Sequence, residues 1–365
     1  MQGWAGYVKT LFATLLAASA VVFAFVVLVD PYDSLFFSPD VEREPVSTNQ
    51  RYSFPALARS DRFDSAIFGT STTRLLRPEQ LDALFGARFT NLSMNSATAY
   101  EQSEIHRLFL RHHPQPRVLI YGIDRVWCTV EETYERFTFR PFPPWLYDED
   151  PWNDLLYLFN FKAVEEAGQQ FAYLVGLRER RYGADGYTNF LPPEEEYDLA
   201  RVQQALYGAG GPPAPGTPPP SGPEPTADER DSWTYATHAL MAEMLAATPP
   251  ETTKILVFVP YHATLIERQP PLQRARLAEC KKRLTAIAES VPNTHVLDFM
   301  VGSTITRDDT RYWDNLHYNV ATATELGAAI ARGVARRRAE PGLFDYLGGP
   351  RATLTGNLPL LPHSH

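Results

Sequence analysis

Apolar residues follow two different patterns along this chain. Near the N-terminus they run without a break, since residues 10–29 carry no charge and are rich in Leu, Val, Phe and Ala. A run of roughly 20 such residues is what a helix needs to cross a bilayer. Beyond residue 60 the apolar residues come as short runs bounded by polar ones, each followed by a segment with helical spacing. Strands buried in a parallel sheet, and the helices that cover them, have this alternation. It predicts strands over residues 63–68, 88–94, 117–121, 254–260 and 294–299, and helices over 78–85, 100–112, 227–246, 272–289 and 321–338. Pro78 suits a first helical turn, and the basic end of the last helix suits the negative pole of its dipole. Repeated rounds of strand, polar turn and helix predict an α/β fold with a five-stranded parallel sheet and helices on both faces, a three-layer, doubly wound arrangement.

The alternation is interrupted once. Residues 127–207 are rich in aromatics and Pro, including Phe137, Phe139, Phe142, Trp145, Tyr147, Trp152 and Tyr157, with helices expected around 154–177. These aromatics read first as a satellite core under a long excursion, and second as a lid or sugar-stacking wall. Residues 208–225 are low in complexity and dominated by Gly and Pro, an exposed, mobile insertion that cannot form a core. The expected organisation is an anchor over residues 1–30, a connector without helical or strand period over 31–58, an α/β domain over 59–340 with an insertion at about 127–226, and a tail over 341–365 with no functional reading.

Charge and cysteine content narrow the function. A net charge of −9 with no basic stripe argues against nucleic acid as a partner. The two cysteines, Cys128 and Cys280, lack metal-ligand spacing, so no metal or other cofactor is predicted, and one disulfide stays open. Lys9 precedes the apolar run, whereas Asp30, Asp33, Asp40 and Glu42 follow it. The positive-inside rule then leaves residue 1 in the cytoplasm and everything after Asp30 outside, in the periplasm of a two-membrane cell. Cleavage at Ala18-Ser19-Ala20 would make the segment a signal peptide. The apolar run continues to Val29 beyond that site, which favours an uncleaved single-pass anchor.

Candidate chemistry begins at Gly69-Thr70-Ser71, where the first strand ends. Alone, the hydroxyls of residues 70–73 read as a helix cap. A serine becomes a nucleophile when a base takes its proton and a carboxylate holds that base. Asp314 and His317, three residues apart after the fifth strand, supply both at the same sheet edge, where ligands gather in open α/β sheets. Arg74 and His262 are expected near the same edge. Arg74 reads either as a surface helix charge or as a ligand contact, and His262 either as a backbone-satisfied loop histidine or as a ligand contact.

Across residues 63–338, the insertion excepted, the arrangement resembles the SGNH/GDSL hydrolase superfamily and its flavodoxin-like sheet. Gly69-Thr70-Ser71 resembles the family's Gly-Asp-Ser block, and Trp313-Asp314-Asn315-Leu316-His317-Tyr318 its Asp-x-x-His block. The resemblance implies Ser71 as nucleophile, His317 as base and Asp314 as its orienting carboxylate. Residues 91–98 are similar to the second block and extend the site to Asn95, but Ser96 stands where the family has its oxyanion-hole Gly. Gly122-Ile123-Asp124 is similar to the third block, with Asp124 in place of the oxyanion-stabilising Asn. A tethered domain of this kind also resembles accessory proteins of alginate O-acetylation and teichoic-acid D-alanylation, which implies a membrane-bound O-acyltransferase as partner. Two functions follow as expectations. One is an extracytoplasmic serine acyltransferase or esterase acting on an acyl-bearing glycan or small ester. The other is a degenerate domain that binds or scaffolds without chemistry.

Overall fold

The computed structural model describes residues 2–39, 41–180, 182–214 and 216–350. The chain divides into two compact units, one formed by residues up to 60 together with 139–186, the other by residues 61–138 together with the chain from 187 on.

The first unit begins with a helix, Gln2–Val29, whose segment Trp4–Val29 holds an 18-residue window of mean hydropathy 2.7 that is mostly exposed. At 1.5 Å per residue those 26 residues reach about 39 Å, enough to cross a bilayer. The same segment passes as a signal sequence by length and composition. Asp30 ends the helix in a left-handed conformation (φ 46°), and its carboxylate accepts from the backbone N–H groups of Ser34 and Leu35 at 3.1 and 2.9 Å. The stretch expected to be an unstructured connector contains a second helix, Gln50–Arg59, capped by Asn49. Its buried face mixes Phe54, Leu57 and Ala58 with Gln50, Arg51 and Ser53, so no apolar stripe reveals it, and Pro55 lies inside it. Two further helices, Asp154–Tyr157 and Phe161–Leu174, form where helices were expected in the aromatic stretch. Trp145 and Tyr147 are buried, with Tyr157 stacked on Trp145 at 5.4 Å and Phe142 on Tyr147 at 4.4 Å. Phe139 and Trp152, by contrast, are exposed, so the satellite core takes up only part of the aromatic set.

The second unit is built on a mixed sheet of six strands: β1 Ser65–Phe68, β2 Phe89–Asn91, β3 Val118–Ile123, β4 Thr253–Phe258, β5 Thr294–Asp298 and β6 Asp345–Gly348. Their order is β2-β1-β3-β4-β5-β6. The first five are parallel, and β6 runs antiparallel to β5. The expected sheet had five strands. The sixth comes from the segment assigned to the tail, whose remaining residues, 351–365, lie outside the described residues. Its four residues carry no apolar run of their own, and pairing with the β5 edge defines them as a strand.

Side chains alternate between the two sheet faces. Ile67, Ile120, Ile255 and Leu297 share one core with Leu81 of the Pro78–Phe85 helix and with Leu326 and Ile330 of the Val320–Arg336 helix. Phe68 and Tyr121 stack at 5.7 Å and meet His106 of the Ala99–His112 helix. That helix packs on Thr237–Ala247, which packs on Pro271–Glu289. The helix expected over 227–246 is broken into Ala227–Ser232 and Thr237–Ala247. Between them Tyr235 forms a bridge with Glu131 and donates its hydroxyl to Arg276 O at 2.6 Å, contacts that an unbroken helix would forgo. Cys128, just beyond β3, and Cys280, on the Pro271–Glu289 helix, form a disulfide with their Cα atoms 5.4 Å apart.

Candidate active site

The turn that follows β1 is fixed by its own packing and hydrogen bonds. Thr73 folds back over it, its hydroxyl 3.1 Å from Thr70 O and 2.9 Å from Ser93 Oγ. A Cβ at either Gly69 or Gly122 would collide with the Thr73 side chain, so both positions require glycine for this packing. From β2, the Asn91 amide donates to the carbonyls of Thr73 and Leu76 at 3.1 and 3.0 Å. Ser71 is thereby held at the carboxyl end of β1, half-buried.

Ser71 Oγ lies 2.8 Å from His317 Nε2, and His317 Nδ1 lies 2.7 Å from Asp314 Oδ2. The other Asp314 oxygen accepts from the backbone N–H groups of Leu316 and His317 at 2.7 and 2.8 Å. Burial alone would raise the Asp314 carboxyl, but its hydrogen bonds from His317 and from these two backbone donors outweigh that and hold it below the usual carboxylate range. An ionised Asp314 calls for the proton on Nδ1 and leaves Nε2 to accept from the Ser71 hydroxyl. Asp314 and His317 stand on a turn, closed by the Tyr312–Tyr318 bridge and by Trp313 N–H donating to His317 O at 2.9 Å. Tyr318 donates its buried hydroxyl to Thr72 O, which ties this turn directly to the serine turn.

The remaining candidates distribute unevenly. Arg74 is buried, so the surface-charge reading does not hold; its guanidinium donates to Asn95 Oδ1 at 2.9 Å and lies 5.1 Å over the Phe190 ring. Phe190, which no sequence signal marked, also meets the His317 ring edge-on at 5.6 Å. Ser96 takes a left-handed backbone (φ 54°), the conformation that favours glycine. Asp124 is buried and accepts from Thr70 Oγ1 and from Val126 N–H, the latter at 3.1 Å. Burial raises its carboxyl to about 6, against these hydrogen bonds. Asp124 thus braces the serine turn and the start of the next loop.

His262 does not turn its ring to Ser71. Its Nε2 pairs with Asp309 Oδ1 at 3.1 Å and its Nδ1 caps Thr264. Asp309 also accepts from the Tyr207 hydroxyl at 2.7 Å and from Gln203 at 2.8 Å. His262 meets the Asp314–His317 turn from behind: its backbone N–H donates to Asn315 O at 3.1 Å, and its ring packs edge-on against Tyr312 at 5.1 Å. Of the two readings of His262, loop histidine or ligand contact, the ring's pairing with Asp309, distant in sequence, fits the first, with a side-chain partner in place of backbone.

A cavity of about 360 Å³ opens beside Asp124, lined among others by Arg125, Tyr261, Gln273 and Arg276. Among the described residues no cluster of three or more His, Cys, Asp or Glu side chains is arranged to hold a metal ion. Family models, curated proteins and solved structures offer no match to the chain.

Proposed function

We propose that the chain is a membrane-anchored serine acyltransferase or esterase of SGNH type that acts outside the cytoplasm on acyl groups of a surface glycan or similar ester. The observation that carries this reading is the unbroken line of hydrogen bonds from Ser71 through His317 to Asp314. The order of the five parallel strands, with the serine after β1 and the Asp-His turn after β5, supports the doubly wound SGNH layout. The disulfide supports an oxidising compartment, in keeping with an anchor whose acidic flank faces outward.

In this reaction Ser71 Oγ attacks the acyl carbonyl while its proton passes to His317 Nε2. The tetrahedral centre collapses, the C–O bond to the leaving alcohol breaks, and His317 returns the proton to that oxygen. An acyl group then remains on Ser71. A sugar hydroxyl or water, giving its proton to His317, attacks the acyl carbonyl in turn; the bond to Ser71 Oγ breaks, and His317 returns the proton to Oγ. The oxyanion is held by backbone N–H groups at Ser71 and at Ser96, whose left-handed backbone stands in for the family's glycine. Asp124, already committed to Thr70 and Val126, contributes turn geometry instead of a donor. In the transfer mode a membrane-bound O-acyltransferase supplies the acyl group.

A fluorophosphonate probe tests the reading on the full chain. Labelling of the wild type that disappears in Ser71→Ala, with both proteins folded, is the expected result, and absence of Ser71-dependent labelling or turnover overturns it. The position of Asp124, an acceptor where the family has a donor, favours the scaffold reading as the second choice. That reading predicts full envelope acylation by Ser71→Ala in a strain lacking the wild-type chain.

A further inference from the structure

The helix Phe161–Leu174 is amphipathic in the inverted sense. Its inward face carries Glu166 and Gln170 with Ala163 and Ala167, whereas Phe161 and Phe171 point outward. Phe161 is 95 % exposed, and Leu177, just past the helix, 82 %. An isolated exposed apolar side chain is ordinary, but a helix that buries its carboxylate and exposes its phenylalanines is stable only against an apolar neighbour. The inward Glu166 is paired with Lys162 at 2.6 Å, so the polar interior is a built feature.

What covers this face follows from where it lies within its unit. Two aromatic contacts join it to the apolar N-terminal helix: Phe23 meets Phe159 edge-on at 5.6 Å, and Phe25 meets Phe171 at 5.7 Å. The exposed face is therefore continuous with the last turns of Trp4–Val29, which, on the anchored reading proposed above and on which this inference rests, is the end where the span leaves the bilayer. Trp152, 63 % exposed and packed on Phe36 at 4.9 Å, adds the amphipathic ring type that concentrates at headgroup depth. An interfacial helix lies in the membrane plane with its apolar side sunk roughly 5–10 Å into the headgroup and acyl boundary.

We propose that the Phe159–Leu177 segment is a monotopic lipid-docking element, its Phe161 and Phe171 face inserted in the phospholipid bilayer from which the N-terminal helix emerges. The anchor then fixes this unit at two places, by a spanning helix and by an in-plane one, which restrains its tilt. Restraint at two places also explains why so much apolar surface is retained outside the satellite core.

Environment-sensitive labels on the full chain test the proposal. Both native cysteines are in the disulfide, so a single introduced cysteine takes the label. Phe161→Cys and Leu177→Cys, each carrying an NBD dye and reconstituted in phosphatidylethanolamine/phosphatidylglycerol nanodiscs, are expected to emit to the blue. Lipids with a shallow doxyl group should quench them at least twofold, and aqueous iodide should fail to. Asp231→Cys, exposed on the other unit, is the water-facing control. Iodide quenching at 161 and 177 equal to that at 231 overturns the proposal. So does a blue shift that grows with protein-to-lipid ratio, because a second copy of the chain would then be the cover. Two label sites, both already at the surface, keep the result readable if one variant misfolds.

Discussion

At the scale of single residues, Asp124 carries a pH signature of its own. Asp124 accepts from the Thr70 hydroxyl and from Val126 N–H, and burial pushes its carboxyl up to about 6. A folded-state value above the unfolded one means the native state holds the proton more tightly. The stabilisation is therefore complete below the unfolded value of 3.8 and is lost as pH rises through about 6. Asp124→Asn keeps the shape and removes the titration. Its amide can donate to Thr70 Oγ1 while its oxygen accepts from Val126 N–H. Melting temperatures between pH 4.5 and 7.5 should fall more steeply for the wild type than for the variant, with the variant at least as stable above pH 7. Parallel curves would reject the buried-carboxyl account. Ser71, Asp314 and His317 were legible as residues because the motif that joins them is a matter of type and spacing. The work of Asp124 and Arg74 was not, since each is decided by a partner, Thr70 or Phe190, that only the folded chain brings near.

At the scale of elements, the serine turn is a packing problem shared by β1, β2 and β3. Gly122 of β3 faces the Thr73 methyl so closely that an alanine there would overlap Thr73 Cγ2. Gly122→Ala is expected to destabilise the protein by about 1–3 kcal/mol, the usual range for overpacking, and to reduce Ser71 labelling by displacing its turn. Thr73→Ser removes that methyl and keeps the hydroxyl. The double variant should recover most of both losses, as a thermodynamic cycle on urea midpoints would read. Additive losses would mean that the glycine matters for another reason. The strands around this turn were legible because each is a buried apolar run, and the helices that cover them have regular spacing. Three of the elements that escaped did so for a common reason, that tertiary partners outweigh local pattern. Gln50–Arg59 buries polar residues, the 227–246 helix is broken by the Tyr235 contacts, and β6 exists through its pairing with β5.

At the scale of the whole chain, the proposed placement outside the cytoplasm rests on two features that sequence order keeps apart. One is the apolar helix with its acidic flank, and the other is the Cys128–Cys280 disulfide, which closes 152 residues and would persist in an oxidising compartment. The sequence left the cysteines open because a pair so distant has no spacing signature, and the fold alone brings the end of β3 against the Pro271–Glu289 helix. Each feature makes the other testable. If the chain faces outward, alkylation of the full protein from its host, before any reductant, should modify neither cysteine, and alkylation after reduction should modify both, read as a mass shift. Because Cys280 is fully buried, the alkylation is done on denatured protein, where a chain facing the cytoplasm would show two reactive thiols without reductant. The same disulfide should contribute about 2–5 kcal/mol to stability, chiefly by restricting the unfolded chain. Reduced protein, or the Cys128→Ser/Cys280→Ser pair, should accordingly unfold at lower urea with the Ser71 site still labelled below the transition, because neither sulfur belongs to the Ser71–His317–Asp314 line. Loss of labelling in the folded range would instead tie the disulfide to the site, through Trp127 and Asp124 at the end of β3.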